Sequence, residues 1–158
     1  MTMGRLRAAP LVVLLGALLV PVAGCGGGCT KARLTVEPVR VSDVHAPLTL
    51  RARLTRDGRP FPGAKVKMAV SLLGAEDARG EARFTAVTDA DGVATVTRPE
   101  GVAGLSVPGR QVTGYGAYFQ PWRDIDGRTY CWSSVGARIT CGDGSCPRDS
   151  FPAPSPTG

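Results

Sequence analysis

Five cysteines carry most of the reactive chemistry open to this chain: Cys25, Cys29, Cys131, Cys141 and Cys146. Four thiols can hold zinc when they come as close pairs of the C-x2-C kind, but here Cys141 and Cys146 are the only close pair and their spacing is longer. No metal site is expected. His45, the single histidine, would act as a general base only if a nucleophile reached it from elsewhere, and no G-x-S-x-G turn supplies one. Ser145 in Gly142-Asp143-Gly144-Ser145-Cys146 sits among glycines as a nucleophile can, yet the order of residues is wrong. A turn bracketed by a disulfide explains it better. Asp89 and Asp91 open like a calcium loop with Glu100 in twelfth place, but Val93 stands fifth and Ala94 sixth, where glycine is required. The pairs Glu76-Asp77 and Asp124/Asp126 fall in turn-rich stretches that suit solvated carboxylates rather than glycosidase acids. The chain is expected to be a non-enzyme with no cofactor.

Placement of the cysteines depends on where the protein goes. Arg5 and Arg7 precede an apolar run from Leu11 to Val20, and small residues follow up to Cys25, which is the layout of a secretory signal. Val22-Ala23-Gly24-Cys25 resembles the lipobox of bacterial lipoproteins. That resemblance implies that the Cys25 thiol is acylated, residues 1–24 are removed, and Cys25 becomes the first residue of a protein anchored on the extracytoplasmic face of the cell membrane. A single spanning helix is the poorer explanation, because the run carries Gly16, ends at Pro21 and passes into Cys-Gly-Gly-Gly-Cys. Only Gly26, Gly27 and Gly28 separate Cys25 from Cys29. At about 3.5 Å per extended residue the folded part must sit close to the bilayer, with its far loops facing the envelope.

Setting Cys25 aside leaves Cys29, Cys131, Cys141 and Cys146, an even number in an oxidising compartment, so two disulfides are expected in one of three pairings. Cys29 lies at the start and the others near the end, so at least one bridge should staple the N-terminus to the last strands. The net charge of +6 drops to +4 when Arg5 and Arg7 leave with the signal. Basic residues are interleaved with acidic ones, without the block that marks a nucleic-acid arm. A nucleic-acid partner is not expected. Arginine outnumbers lysine, and Ala, Gly, Val and Pro are abundant, as in a GC-rich genome.

The elements that must position these groups read as strands. Leu48, Leu50, Ala52 and Leu54 alternate with Thr49, Arg51 and Arg53; the same period of two recurs over residues 64–72 and 82–86. Near Pro38 the apolar parity switches between Leu34/Val36 and Val39/Val41, which predicts an edge strand with a bulge. Asp-Gly pairs at 57–58, 91–92, 126–127 and 143–144 mark tight turns. About seven strands follow, near residues 33–41, 47–55, 64–72, 81–88, 93–97, 112–120 and 129–140, and they predict an all-β, antiparallel β-sandwich over residues 31–146. Residues 25–30 form the lipidated cysteine and a short glycine linker. Residues 147–158, rich in Pro, Ser and Thr, are expected to be a disordered tail.

Residues 50–66, with Asp57-Gly58-Arg59-Pro60-Phe61-Pro62-Gly63 at their centre, followed by Thr88-Asp89-Ala90-Asp91-Gly92-Val93-Ala94-Thr95-Val96, resemble bacterial immunoglobulin-like domains of the invasin/intimin (Big-1) type. The resemblance covers about a third of the chain and implies an immunoglobulin-like sandwich. It departs after Thr97, where an insertion and a cysteine-bearing final hairpin appear.

Tyr115, Tyr118, Phe119, Trp122, Tyr130 and Trp132 crowd one predicted hairpin. If Cys131, Val135 and Ile139 point inward, Tyr130 and Trp132 point outward. Trp122, Arg123, Tyr130 and Trp132 are therefore the candidate partner-binding residues, near Arg128 and Arg138, since Trp, Tyr and Arg dominate binding hot spots. The competing expectation puts Trp132 and Tyr115 in the core. The function expected is a non-catalytic binding or structural module contacting an envelope protein or glycan; the alternative is an accessory or inhibitory subunit of an envelope enzyme.

Overall fold

The computed structural model describes residues 28–74, 79–105 and 109–147. Ten strands follow one another: β1 (Ala32–Val36), β2 (Val39–Val41), β3 (Leu48–Arg56), β4 (Arg59–Pro60), β5 (Lys65–Leu73), β6 (Arg79–Val87), β7 (Val93–Arg98), β8 (Gln111–Phe119), β9 (Ser133–Cys141) and β10 (Gly144–Ser145). A single 3-10 turn at Ala103–Leu105 is the only helical element among the described residues. The fold is an all-β sandwich. One sheet holds β1, β3, β4 and β7, and the other runs β10-β9-β8-β5-β6 with β2 beside β9.

Alternation decides which residues meet between the sheets. Leu48, Leu50 and Leu54 of β3 and Val66, Met68 and Val70 of β5 are fully buried, while the intervening Arg51, Arg53, Lys65 and Lys67 face water. The predicted bulged edge strand is instead two strands in different sheets. β1 pairs antiparallel with β3, and after Pro38 the chain crosses over so that β2 pairs parallel with β9. Proline lacks the donor that would continue the ladder, so the break and the parity switch have one cause. Tyr115 of β8 pins that crossing: its hydroxyl donates toward the carbonyls of Glu37 and Arg51, 2.9 Å from each.

Burial pushes the Tyr115 hydroxyl above the ordinary phenol pKa. The folded chain thus keeps that proton to higher pH than the unfolded chain, so the stability it holds is complete below about pH 10 and is lost as pH rises further. Tyr115→Phe is expected to cost about 1 kcal/mol at neutral pH and to flatten the alkaline part of the stability profile, measured by urea unfolding from pH 7 to 11.

Both expected disulfides form, Cys29 with Cys131 and Cys141 with Cys146, and the four thiols are thereby consumed. The first staples the N-terminus to the approach to β9. The Asp-Gly turns divide into kinds. Asp57-Gly58 and Asp126-Gly127 have positive φ at both residues, as a type I′ turn requires, whereas at 142–144 the positive φ falls on Gly142, one step before the Asp-Gly pair. The expected signal peptide at 1–24, Cys25, Glu76-Asp77 and, apart from Pro147, the expected tail at 147–158 lie outside the described residues.

Candidate functional site

Where β8 ends, the chain leaves the sheet through Gln120 and Pro121, makes the small Ile125–Arg128 hairpin and returns through Tyr130, Cys131 and Trp132 to β9. Trp122 and Trp132 stand at the two ends of this excursion and meet edge to face, their rings 5.4 Å apart. Their exposures are 74% and 61%. Two large aromatics held together in water forgo a burial that each could otherwise gain. Lys67, facing outward from β5, places its ammonium 5.8 Å from the centre of the Trp122 ring. Arg123 is exposed beside it.

A concavity of about 400 Å³ opens here between Lys65, Lys67, Trp122 and Arg123. Through Lys67, Thr85 and Gln120 it continues into a second of about 500 Å³ that reaches Tyr118, Glu81 and Arg83. The furrow follows from register: Lys67 pairs with Thr85 on one side and Tyr118 on the other, so all three project from the same face of the sheet. Its charge is positive. Arg83 is paired with Glu81 at 3.1 Å, and Asp124 accepts from the Thr129 hydroxyl at 2.7 Å, whereas Lys65 and Arg123 form no ion pair among the described residues.

Tyr130 is corrected. It is only 3% exposed and packs with Phe61 and Phe119 at ring separations of 5.2 and 6.0 Å. Strand β9 begins at Ser133, so the period of two does not extend back to Tyr130, which instead forms a parallel bridge with Thr30. Its hydroxyl receives a hydrogen bond from Arg56 at 2.7 Å, and this bond, with one to Asp126, raises the Arg56 pKa above its ordinary value. Tyr115 and Phe119 are core as well, while Trp132 is not. Arg128 is drawn away from the tryptophans into another concavity with Arg56, Arg59 and Asp126, and Arg138 sits opposite Gly114 on β9. Sequence reasoning had passed over Lys67, Thr85 and Gln120, whose approach to Trp122 depends on pairings across three strands.

The other chemical candidates lie in turns and at a sheet edge. His45 lies exposed in a turn whose backbone N–H groups, at His45 and Ala46, donate to the Asp43 carboxylate. Asp89 accepts from the N–H groups of Asp91 and Val93, both at 2.9 Å, and so caps its own turn. Ser145 is exposed in the two-residue strand enclosed by the Cys141–Cys146 bridge. Among the described residues no three His, Cys, Asp or Glu side chains gather as metal ligands would, and no helix is long and apolar enough to cross a membrane. Compared with known proteins, the chain matches no protein-family model and no curated protein sequence.

Proposed function

We propose that the protein is a cell-surface lipoprotein, anchored by acylated Cys25 on the extracytoplasmic face of the membrane, whose immunoglobulin-like sandwich of the invasin/intimin kind serves as a non-catalytic binding or structural module. The exposed Trp122–Trp132 pair carries the binding part of this reading. It is the largest apolar feature left in water among the described residues, and it is mounted on a rigid base fixed by the Cys29–Cys131 disulfide. Trp122, Arg123 and Trp132 are the contact residues. Support for the anchor comes from the signal layout ending at Cys25 and from the pairing of the four remaining cysteines among themselves, which leaves Cys25 for lipid. The likeness to the invasin/intimin family is supported by the positions of its turn residues, since Asp57-Gly58 closes the β3–β4 hairpin and Phe61 enters the core.

A second reading, an accessory or inhibitory subunit that offers a strand to an envelope enzyme, is favoured by β6. This strand is the last in its sheet, and its inward-facing Ala82, Phe84 and Ala86 are only half-buried, so the opposite sheet, which reaches it through Arg98 over the Phe84 ring, covers it only in part. Cell fractionation separates anchor from fold. Cys25→Ser is expected to move the protein from the membrane to the soluble fraction without changing its circular dichroism, and undiminished membrane retention would reject lipidation. Affinity capture from native envelope with wild type and Trp132→Ala reads the contact face.

A further inference from the structure

Cys29, four residues after the proposed anchor, and Trp132 lie close together. Cys29 is bonded to Cys131 with their Cα atoms 4.9 Å apart, and Trp132 is the next residue after Cys131. One further peptide step of about 3.8 Å therefore puts the Trp132 backbone within roughly 9 Å of Cys29. The adjoining backbone is tied in the same way, with Thr30 N–H donating to Thr129 at 2.7 Å and Cys131 N–H to Thr30 at 2.9 Å. Four residue steps connect Cys25 to Cys29, a covalent reach of at most about 14 Å. An acylated Cys25 must lie at the bilayer surface. Cys29 then hangs on a leash about as long as the headgroup layer and one side chain together, and the Trp132 backbone follows within roughly 9 Å of it, with Lys65, Lys67 and Arg123 around the partner indole of Trp122.

We propose that this face docks on the lipid headgroups, with Trp122 and Trp132 entering the interfacial zone of an anionic bilayer and Lys65, Lys67 and Arg123 meeting its phosphates. The inference rests on the acylation of Cys25. The chemistry matches on both counts. Indoles favour the membrane interface, where the ring is sheltered and its N–H remains hydrogen-bonded, and lysine and arginine are attracted to anionic headgroups while their stems lie along apolar surface. A protein or glycan partner fits the same side chains but gains nothing from the disulfide that brings them to the anchor. Docking by this face would turn the sandwich from a freely swinging body into one with a set orientation, with the loops remote from Trp132 left for other contacts.

The chain contains only two tryptophans, both in this face, so indole fluorescence reports on it alone. The purified full-length lipoprotein is reconstituted in vesicles of phosphatidylcholine and phosphatidylglycerol, with and without dibrominated phosphatidylcholine. Docking is expected to shift emission to shorter wavelength, to quench it with brominated lipid and to protect it from aqueous acrylamide. Anchored protein whose emission ignores brominated lipid and stays open to acrylamide would overturn the proposal, as would a shift produced only by an envelope glycan or protein. Failure of the anchor shows separately, as an unmodified Cys25 in the mass spectrum and protein that does not float with vesicles. In a second arm, Lys65→Gln with Arg123→Gln in the Cys25→Ser chain is expected to weaken partition onto anionic vesicles about thirtyfold, with no change on neutral ones. Equal partition of that variant and its parent would overturn the part given to charge.

Discussion

Replacing Cys29 and Cys131 together by serine is expected to remove about 4–5 kcal/mol of folding stability, whereas the same change at Cys141 and Cys146 removes about 2 kcal/mol. The difference comes from the unfolded chain. The first bridge joins residues 102 apart and the second joins residues 5 apart, and a cross-link restricts the denatured ensemble more as the loop it closes grows. A domain of this size commonly has only about 5–15 kcal/mol in total, so the long-range bridge is a large fraction of what holds the sandwich together. It also fixes the parallel bridge between Thr30 and Tyr130 and, through Tyr130, the aromatic cluster with Phe61 and Phe119. Guanidinium unfolding of the two double variants measures both losses. If the short bridge proved as costly as the long one, loop entropy would not be the governing term.

Much of this architecture was legible in the residues, and where it was not the reason is local. Strands β3, β5 and β7 lie within a residue or two of the predicted spans because each has one buried face, and period two then leaves little choice. β6 matched for the same reason, although it is the last strand of its sheet. Pro38 was recognised as an interruption, but whether the chain bulges or changes sheets there depends on what stands beside it, namely Tyr115 reaching Glu37 and Ile139 opposite Val39. Alternation predicts the wrong side for Tyr130 because it does not extend back past Ser133, where the Cys131 disulfide ties the chain to Cys29. Trp122 and Trp132 stand out by composition, since a cluster of large aromatics at a strand end is visible in one dimension, and both are exposed. Lys67 was not found. It approaches Trp122 only through the β5–β8 pairing, a contact between residues far apart in the chain that no local pattern announces.

The turn that contains Gly92 is sensitive to any added side chain, because backbone approaches it closely. Gly92→Ala is expected to cost about 2–5 kcal/mol. Gly92 has φ +73°, and a Cβ placed there would lie 2.5 Å from the Leu54 carbonyl oxygen and 2.9 Å from the Phe61 nitrogen, so conformational strain and overlap with backbone act together. The neighbours cannot withdraw. Leu54 N–H donates to Gly92 at 2.8 Å and Phe61 N–H to Leu54 at 3.0 Å. The buried Thr88 hydroxyl donates to Phe61 at 2.6 Å and accepts from Ala64 N–H at 2.9 Å. The motif residues thus lock the β3–β4 hairpin against the turn between β6 and β7, and each needs its particular chemistry: Thr88 to bond both ways, Asp89 to cap, Gly92 to let two backbones touch. Gly58 isolates the two contributions. Its φ is +75°, yet nothing lies within 4 Å of where its Cβ would go, so Gly58→Ala bears the conformational cost alone, about 1–2 kcal/mol. Thermal and urea unfolding of the two variants should therefore differ by the overlap at Gly92. Equal losses would show that the close approach of Leu54 and Phe61 is relieved without cost, and that dihedral preference by itself accounts for glycine in this turn.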